Sequence, residues 1–489
     1  MNQQHEVEEP PGPALKWRSL VPGLPLLAAL LASVVAYWPA LRSPFYADDY
    51  LYLSASRNLT FGEYAKASLV PYSDQPLLES VTRYFWRPLY YLSFGLLEPI
   101  LGEHATGYHL LLLAIHLASV FLVWLLVRQL SGSRAAAGVA AVVFAAHPAA
   151  FEGVAWISSL SNIGLPLMLA AWLLFARAIH KGELKWPLVI GSAALVAAAL
   201  GFRESTVAVV PAMGLWWLAT RRASALKDWR SYRVFVPCAV LGLGYLLLRT
   251  RFLTEPATNH EVWRIDGDAA GEFWYYAKQL AFPAGDSPGG MAHVVQVVAA
   301  TVLLAATPLL WLLRRPVAAA LVAGTVISVL PYAPLQLGDS PRYLYFPAAS
   351  LAIAVGFLLD EAFKALQPRF NERTVFSGTA ALGAVLLVLG TVVIHQRTTD
   401  WVNDGPEVEQ AWVDELRAAA PSLQPGATLY CANPPIILAL FENALLQPTV
   451  SFYYPGVAVK RFEATDLAKV EASLGPNDRI FIPSGTPRK

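Results

Sequence analysis

Charged residues are scarce in this chain: Asp, Glu, Lys and Arg make up 15% of its 489 residues, while 56% belong to the hydrophobic set. Because roughly a quarter of the residues of a soluble globular protein are charged, that class is excluded. The formal net charge is only +1, so we expect no nucleic-acid partner. Only two cysteines occur, Cys238 in an apolar run and Cys431 in a polar tail, so we expect neither a disulfide framework nor a cysteine zinc site.

Long apolar runs are what the sequence has in abundance. About eleven of them approach the 20 or so residues that cross a hydrocarbon core, which predicts an α-helical polytopic membrane protein. The 15 Trp and 20 Tyr suit aromatic belts at two membrane interfaces. The predicted spans are residues 21–41, 108–127, 135–157, 160–179, 186–202, 206–219, 234–253, 293–313, 317–335, 343–359 and 375–394.

The basic residues of the short loops give the orientation. Lys16 and Arg18 precede the first span and place the N-terminus in the cytoplasm. Alternating from there, the short inner loops receive most Lys and Arg, while the short outer loops hold only Arg203 and Arg342. Residues 1–19 are polar and Pro-rich, which predicts a disordered cytoplasmic tail.

Three outer segments are too long to be turns, and we expect function to lie there. Within a membrane domain of residues 20–394, these are a first outer loop at 42–107 and a second at 254–290. The third, residues 395–489, mixes the helical stretch PEVEQAWVDELRAAA with strand-like runs such as ATLYC and DRIFIP. It predicts a small soluble α/β domain on the outer face. In the first loop, RYFWRPLYYLSFGLLEPILG predicts interfacial helices.

An acidic pair, Asp48 and Asp49, follows the first span directly, at the membrane surface. The simple interpretation is that one of them caps a short helix. Adjacent residues cannot aim both side chains at one point. We therefore predict that one carboxylate, first Asp48 and then Asp49, acts in catalysis while the other caps or orients. The pair could bind Mg²⁺ or Mn²⁺, although we expect that no metal or other cofactor is required.

Further ionisable and aromatic residues reach the same face at the outer ends of spans, where such groups are functional candidates. Each also has a structural interpretation: Arg87 could reach lipid headgroups, Arg203 and Glu204 could pair within a tight turn, Asp339 could lie in a turn with interfacial aromatics, and His109 and His116 could be core histidines. The candidate phosphate-binding residues are Arg342, Arg87 and Arg203. The candidate substrate-binding residues are Glu152, Glu204, His109, Tyr343 and Tyr345.

One acidic pair and several arginines on one membrane face suit a particular reaction. A hydroxyl would attack the anomeric carbon of a sugar whose leaving group is a lipid phosphate, with a carboxylate as general base. The departing phosphate is a stable anion, which needs positive charge and no acid partner.

Six stretches carry a resemblance to a known family. They are ADDY at 47–50, WRPLYYLSF at 86–94, GYHLLLLAIH at 107–116, HPAAFEGVAWIS at 147–158, FRES at 202–205 and PRYLYFP at 341–347. From about Tyr46 to Leu359 the chain resembles the membrane glycosyltransferases of the GT-C fold. It is most similar to the tetratricopeptide-containing transmembrane O-mannosyltransferases and their bacterial relatives, and more loosely similar to protein O-mannosyltransferases and aminoarabinose transferases.

The resemblance implies an enzyme that transfers a hexosyl or pentosyl unit from a polyprenyl-phosphate donor, with inversion, on the periplasmic or lumenal face. It assigns the base to Asp48, with Asp49 second, and the lipid phosphate to Arg342. This chain departs from the family pattern in having Ser159 to Asn162 in place of a charged stretch, and in having Arg203–Glu204 in place of a Lys–Glu pair. The tetratricopeptide repeats are also missing.

Because the repeats are missing, the acceptor stays open between a protein, a lipid and a glycan. Two other functions compete: a ligase or polymerase of polyprenyl-linked glycans, and a transporter or flippase of lipid headgroups. The latter favours ionisable groups at mid-membrane, often in paired halves. We expect the protein in a bacterial inner membrane, with the active site and the C-terminal domain in the periplasm.

Overall fold

The structure, a computed structural model, describes residues 23–70, 85–179, 184–221, 229–252, 267–284, 288–335, 340–366, 372–439 and 445–484. The predicted N-terminal tail, Asp339 and much of the second outer loop lie outside these residues. The described chain is mainly helical and carries one small sheet.

Helices occupy the positions of all eleven predicted spans. They are Leu24–Ala36, Ala105–Ser131, Arg134–Ala145, Gly164–Ala178, Trp186–Phe202, Val209–Ala219, Val236–Phe252, Gly290–Leu312, Pro316–Val329, Tyr345–Leu366 and Glu372–Asp404. Among the described residues, six continuous helical segments are long and apolar enough to cross a membrane, and four more apolar helices are shorter. That the protein is an α-helical membrane protein is confirmed, while the number of eleven membrane crossings stays a prediction.

Two predicted boundaries differ from the structure. The third predicted span was expected to run to residue 157, but its helix ends at Ala145. Pro148 then opens a short 3₁₀ turn, Pro148–Ala150, since proline favours a helix start and cannot donate to a preceding turn. The last long helix continues to Asp404, so residue 395, the expected start of the C-terminal domain, falls inside a helix.

Close helix packing in the membrane region uses small residues. Gly356 faces the Arg134–Ala145 helix, and a Cβ added to it would lie 2.7 Å from the carbonyl oxygen of Ala136. Ala137, Ala140 and Ala141 on that helix are fully buried. In a bilayer the hydrophobic effect does not drive helices together, because lipid is as apolar as the helix surface. Helix association therefore depends on close van der Waals packing, which small residues permit.

The predicted first outer loop forms helices that pack against one end of this bundle. They are Asp48–Asn58, Phe61–Leu69 and Pro88–Leu101. Thr60 begins the second through a capping box with Glu63. Tyr52 stacks on Phe94 with ring centroids 4.7 Å apart, so the helices pack through aromatic contacts. A helix is thus present within the stretch RYFWRPLYYLSFGLLEPILG, as predicted, while its place in the membrane interface stays a prediction.

The C-terminal domain has the predicted α/β character. Its helices are Pro406–Ala419, Ile436–Ala439, Leu446–Tyr453 and Leu467–Ala472. Strands β1 (Thr428–Ala432), β2 (Ala458–Phe462) and β3 (Arg479–Phe481) form a parallel sheet in the order β2-β1-β3. The domain contacts the first outer loop directly: the Asn58 side-chain amide donates to the Ser451 carbonyl at 3.2 Å, and the Tyr50 and Tyr453 hydroxyls lie 3.2 Å apart.

Candidate active site

A tight turn at residues 46–49 carries the acidic pair. The Asp49 N–H donates to the carbonyl of Tyr46 at 3.1 Å, which closes the turn. Ala47 has φ 50° and ψ −111°, close to the second position of a type II′ turn, where glycine is favoured. The helix Asp48–Asn58 begins at once, and neither aspartate caps it, because its N-cap residue is Ala47. The simple interpretation of the pair as a helix cap is therefore wrong.

Asp49 is bound from both sides. Its Oδ1 accepts from the backbone N–H and from the hydroxyl of Ser158, each at 2.7 Å, and its Oδ2 accepts from the Tyr46 N–H at 2.9 Å. The side chain is buried. Asp49 therefore anchors the turn to the chain that follows Trp156, which leaves its oxygens poorly placed to take a proton from a substrate.

Asp48 faces a cation. Its Oδ2 lies 3.8 Å from Nη1 of Arg342, and its side chain keeps 32% of its exposure. The separation is longer than a hydrogen bond, so the contact is an ion pair. Arg342 lies over the ring of Trp156, 4.4 Å from its centroid. Of the two aspartates, Asp48 is the one with an oxygen accessible beside a cation.

Both carboxyl groups titrate above the ordinary range. Burial raises the pKa of Asp48, and the Arg342 guanidinium partly offsets this. Burial also raises the pKa of Asp49, to about 7, against the hydrogen bonds from Ser158 and Tyr46. A raised pKa makes a carboxylate a stronger base, which suits a group that removes a hydroxyl proton.

Arg87 and Glu204 neutralise each other. The Arg87 Nε and Nη2 donate to the two carboxylate oxygens of Glu204 at 2.7 and 2.6 Å, the bidentate geometry of a strong pair. Burial alone would raise the pKa of Glu204, but the Arg87 guanidinium lowers it to about 2. The alternative interpretation in which Arg203 and Glu204 pair within the turn is wrong, and so is the one in which Arg87 reaches out to lipid headgroups.

Arg203 is buried beside this pair, with 3% of its surface exposed. Its Nη1 donates to Oδ1 of Asn162 at 2.9 Å, while its Nε finds no hydrogen-bond partner among the described residues. The guanidinium carbons of Arg203 and Arg342 lie 5.3 and 5.4 Å from the ring centroid of one residue, Tyr343. Two cations therefore lie close to Tyr343, one of them next to Asp48.

The remaining predicted substrate residues have structural contacts. His109 donates from Nε2 to the carbonyl oxygen of Ser43 at 3.1 Å, so it binds the chain leading into the loop. The Tyr345 hydroxyl lies 3.2 Å from Nδ1 of His116, in the bundle core. Glu152 accepts from the hydroxyl of Ser340 at 2.7 Å, beside the Arg342 turn. Tyr343 and Glu152 thus lie near the acidic pair.

The described residues contain no group of three or more His, Cys, Asp or Glu placed to hold a metal ion. Asp48 and Asp49 diverge, and both oxygens of Asp49 already accept from N–H or O–H donors. A cation held by both aspartates would have to displace those donors. Metal independence stays a prediction.

Three contacts were missed in the sequence. Ser158 binds Asp49, Asn162 binds Arg203, and Glu409 of the C-terminal domain accepts from the Ala47 N–H. Ser158 lies in the quoted stretch HPAAFEGVAWIS and Asn162 at the departure from the family pattern, so both had a local signal. Glu409 had none, because it lies 362 residues from its partner.

Comparisons with known proteins show which family and which fold this chain resembles. Residues 88–247 match the family described as dolichyl-phosphate-mannose-protein mannosyltransferase. The protein O-mannosyl-transferase Tmtc1 of Drosophila melanogaster is 28% identical over 266 residues, which is 51% of this chain and 30% of that protein. The chain thus spans less than a third of the length of this curated relative.

Two solved structures share the fold. The crystal structure of ArnT from Cupriavidus metallidurans in the apo state aligns with a TM-score of 0.52 and 15% identity, over 90% of this chain and 86% of that one. The Archaeoglobus fulgidus oligosaccharyltransferase aligns with a TM-score of 0.50 and 10% identity, over 91% and 65%. The chain is therefore a multi-pass membrane protein with the fold of the GT-C glycosyltransferases.

Proposed function

We propose that the protein is a membrane glycosyltransferase that moves a sugar from a polyprenyl-phosphate carrier to an acceptor hydroxyl. One observation carries the proposal. Asp48 lies 3.8 Å from Arg342, and a second arginine, the buried Arg203, lies beside the Tyr343 ring that Arg342 also approaches. This transfer requires a general base close to positive charges that can stabilise the departing phosphate. The match to a family that uses dolichyl-phosphate mannose supports the donor class.

The proposed reaction is a direct displacement. The acceptor oxygen forms a bond to the anomeric carbon while the bond from that carbon to the phosphate oxygen breaks. Asp48 takes the acceptor proton, and the carrier phosphate departs as an anion toward Arg342 and Arg203. Attack opposite the leaving group inverts the anomeric centre, which is the outcome expected when no covalent glycosyl-enzyme forms.

An apolar pocket inside the bundle lies near the proposed phosphate site. It is bounded by four helices, Gly164–Ala178, Val209–Ala219, Pro316–Val329 and Tyr345–Leu366, and Ser205, two residues after Arg203, lines it. Its other walls are mainly Leu, Ala, Trp and Phe side chains. Its volume of about 20 Å³ holds no more than about one water molecule, so it has no room for an isoprene unit of the carrier. From the Lys and Arg asymmetry we place the site on the periplasmic face of a bacterial inner membrane.

The test is mass spectrometry of the polyprenyl lipids in cells that lack the protein. We expect one polyprenyl-phosphate sugar to accumulate and its level to return to normal with the wild-type protein. It should stay high with Asp48→Asn, which keeps the shape of the side chain and removes the base. Glu407→Gln, an exposed acid-to-amide change, is the matched control and should restore the pool. An unchanged lipid pool, or full rescue by Asp48→Asn, would contradict the proposal.

A further inference from the structure

The turn that presents Asp48 is held by a residue from the C-terminal domain. The Ala47 N–H donates to Oε2 of Glu409 at 3.0 Å. Glu409 lies in the Pro406–Ala419 helix and is fully buried. Burying a carboxyl group costs free energy unless the group is hydrogen-bonded or paired with a charge. The Oε1 of Glu409 has no hydrogen-bond partner among the described residues. The bond to Ala47 is therefore the polar contact that the structure gives this side chain.

The turn needs such an anchor because Ala47 is strained. With φ 50° and ψ −111°, Ala47 adopts a conformation that suits glycine and is disfavoured for a residue with a Cβ. A strained conformation persists only where the surroundings over-determine it. Those surroundings come from the same domain: Ala47 is 1% exposed and packs in an apolar cluster with Trp412, Val413 and Leu416.

The preceding residue, Tyr46, is enclosed in the same way. Its ring meets that of Trp401 edge-on with centroids 5.5 Å apart, and its carbonyl accepts from Nε1 of Trp156 at 3.2 Å. Gly405 passes so close that an added Cβ would lie 3.0 Å from Cζ of Tyr46. Residues 401–409 thus pack closely against the turn.

We propose that Glu409 is a positioning residue of the active site, which holds the Ala47 amide so that the strained turn presents Asp48 to Arg342. The C-terminal domain is then a working part of the catalytic centre, in addition to any role in acceptor binding. The inference rests on the proposed function only through the role of Asp48 as base.

The experiment compares Glu409→Ala, Glu409→Gln, Ala47→Gly and the double variant Ala47→Gly/Glu409→Ala. Turnover is followed as consumption of the accumulated polyprenyl-phosphate sugar in membranes of cells lacking the chromosomal protein, normalised to the amount of variant. Undecaprenyl phosphate binding to the purified full-length protein is the second readout. The control is Glu407→Ala, since Glu407 is exposed on the same helix.

We expect Glu409→Ala to lower turnover about tenfold, equivalent to about 1.4 kcal/mol, while undecaprenyl phosphate binding changes less than about twofold because the arginines stay in place. Glu409→Gln should stay near wild type, since its amide oxygen can accept from Ala47. Ala47→Gly should restore turnover in the Glu409→Ala background, because glycine adopts the turn without an anchor. A merely structural role of Glu409 would lower binding and turnover together, and glycine would not repair it.

Wild-type turnover in Glu409→Ala would overturn the inference, and so would failure of both Glu409→Gln and the double variant. Asp48→Asn in the same series separates the two proposals. If Asp48→Asn is inactive and Glu409→Ala is normal, only the positioning role fails. If Asp48→Asn is active, the proposed function fails first.

Discussion

Removing one member of the Arg87–Glu204 ion pair should harm the protein more than removing both. The two side chains are only 15% and 16% exposed, and the pair is bidentate at 2.7 and 2.6 Å. The perturbation is a cycle of Arg87→Met, Glu204→Leu and the double variant. Each single change leaves one buried charge without its partner, whereas the double change leaves none.

The magnitude follows from this burial. Breaking a buried pair by removing one partner costs about 3–5 kcal/mol, while replacing both by apolar residues is often close to neutral. Because both side chains keep some exposure, we expect about 3 kcal/mol for each single variant, the lower end of that range. Arg87 also lies over the ring of Phe85, 4.2 Å from its centroid, and Met can retain much of this packing.

The assay is thermal unfolding of the purified variants in detergent, together with undecaprenyl phosphate binding. The single variants should unfold at clearly lower temperature than the double variant, which should resemble wild type. The double variant should still bind undecaprenyl phosphate, because the charge of Arg87 is already balanced, whereas Arg203→Gln should bind it weakly. A double variant that folds normally and fails to bind would show that Arg87 is a phosphate ligand and refute the reasoning.

Two further predictions concern the base and the helix packing. Burial raises the pKa of Asp48 and Arg342 lowers it, so Arg342→Gln should raise it further. Because the proposed base acts as a carboxylate, the acid limb of the pH–rate profile, measured between about pH 5 and 8, should move to higher pH. An unmoved limb would contradict the proposed pairing of Asp48 with Arg342. Gly356→Ala should lower thermal stability by about 1–3 kcal/mol, since its Cβ would approach the Ala136 carbonyl oxygen at 2.7 Å. Gly383→Ala, a helical change with nothing within 4 Å, should be neutral or stabilising; equal losses in both would exclude the packing explanation.

Most of the fold could be predicted from the sequence, because each membrane helix corresponds to one continuous apolar run. Apolar runs predicted the positions of eleven helices, and PEVEQAWVDELRAAA, ATLYC and DRIFIP predicted Pro406–Ala419, β1 and β3. The errors occurred where hydropathy is uninformative. The stretch 146–157 is apolar enough to continue a span, but Pro148 breaks the helix. Strand β2, Ala458–Phe462, was not singled out, since its residues are largely exposed.

The site was only partly accessible, because pairing between distant residues cannot be read from a linear pattern. The residue types suggested a base at Asp48 and a phosphate-binding cation at Arg342, and these roles stay predictions. The structure brings the two side chains together. Adjacency suggested that Arg203 pairs with Glu204, yet Glu204 binds Arg87, 117 residues away. Glu409 had no signal because its partner is a backbone amide, which every residue but proline possesses.

The charges around the turn also link the two halves of the proposed reaction. Glu204 balances Arg87, and hydrogen-bond donors surround Asp49, so neither group changes its partner during transfer. Arg342 is different, because its nearest carboxylate belongs to Asp48 itself. When Asp48 takes the acceptor proton it loses its negative charge, and Arg342 keeps only the more distant Glu152 as a carboxylate counter-charge. In the same step the carrier phosphate gains negative charge. Proton uptake at one end of the reaction therefore releases a cation for the leaving group at the other, which is stabilisation present in the transition state and absent from the ground state.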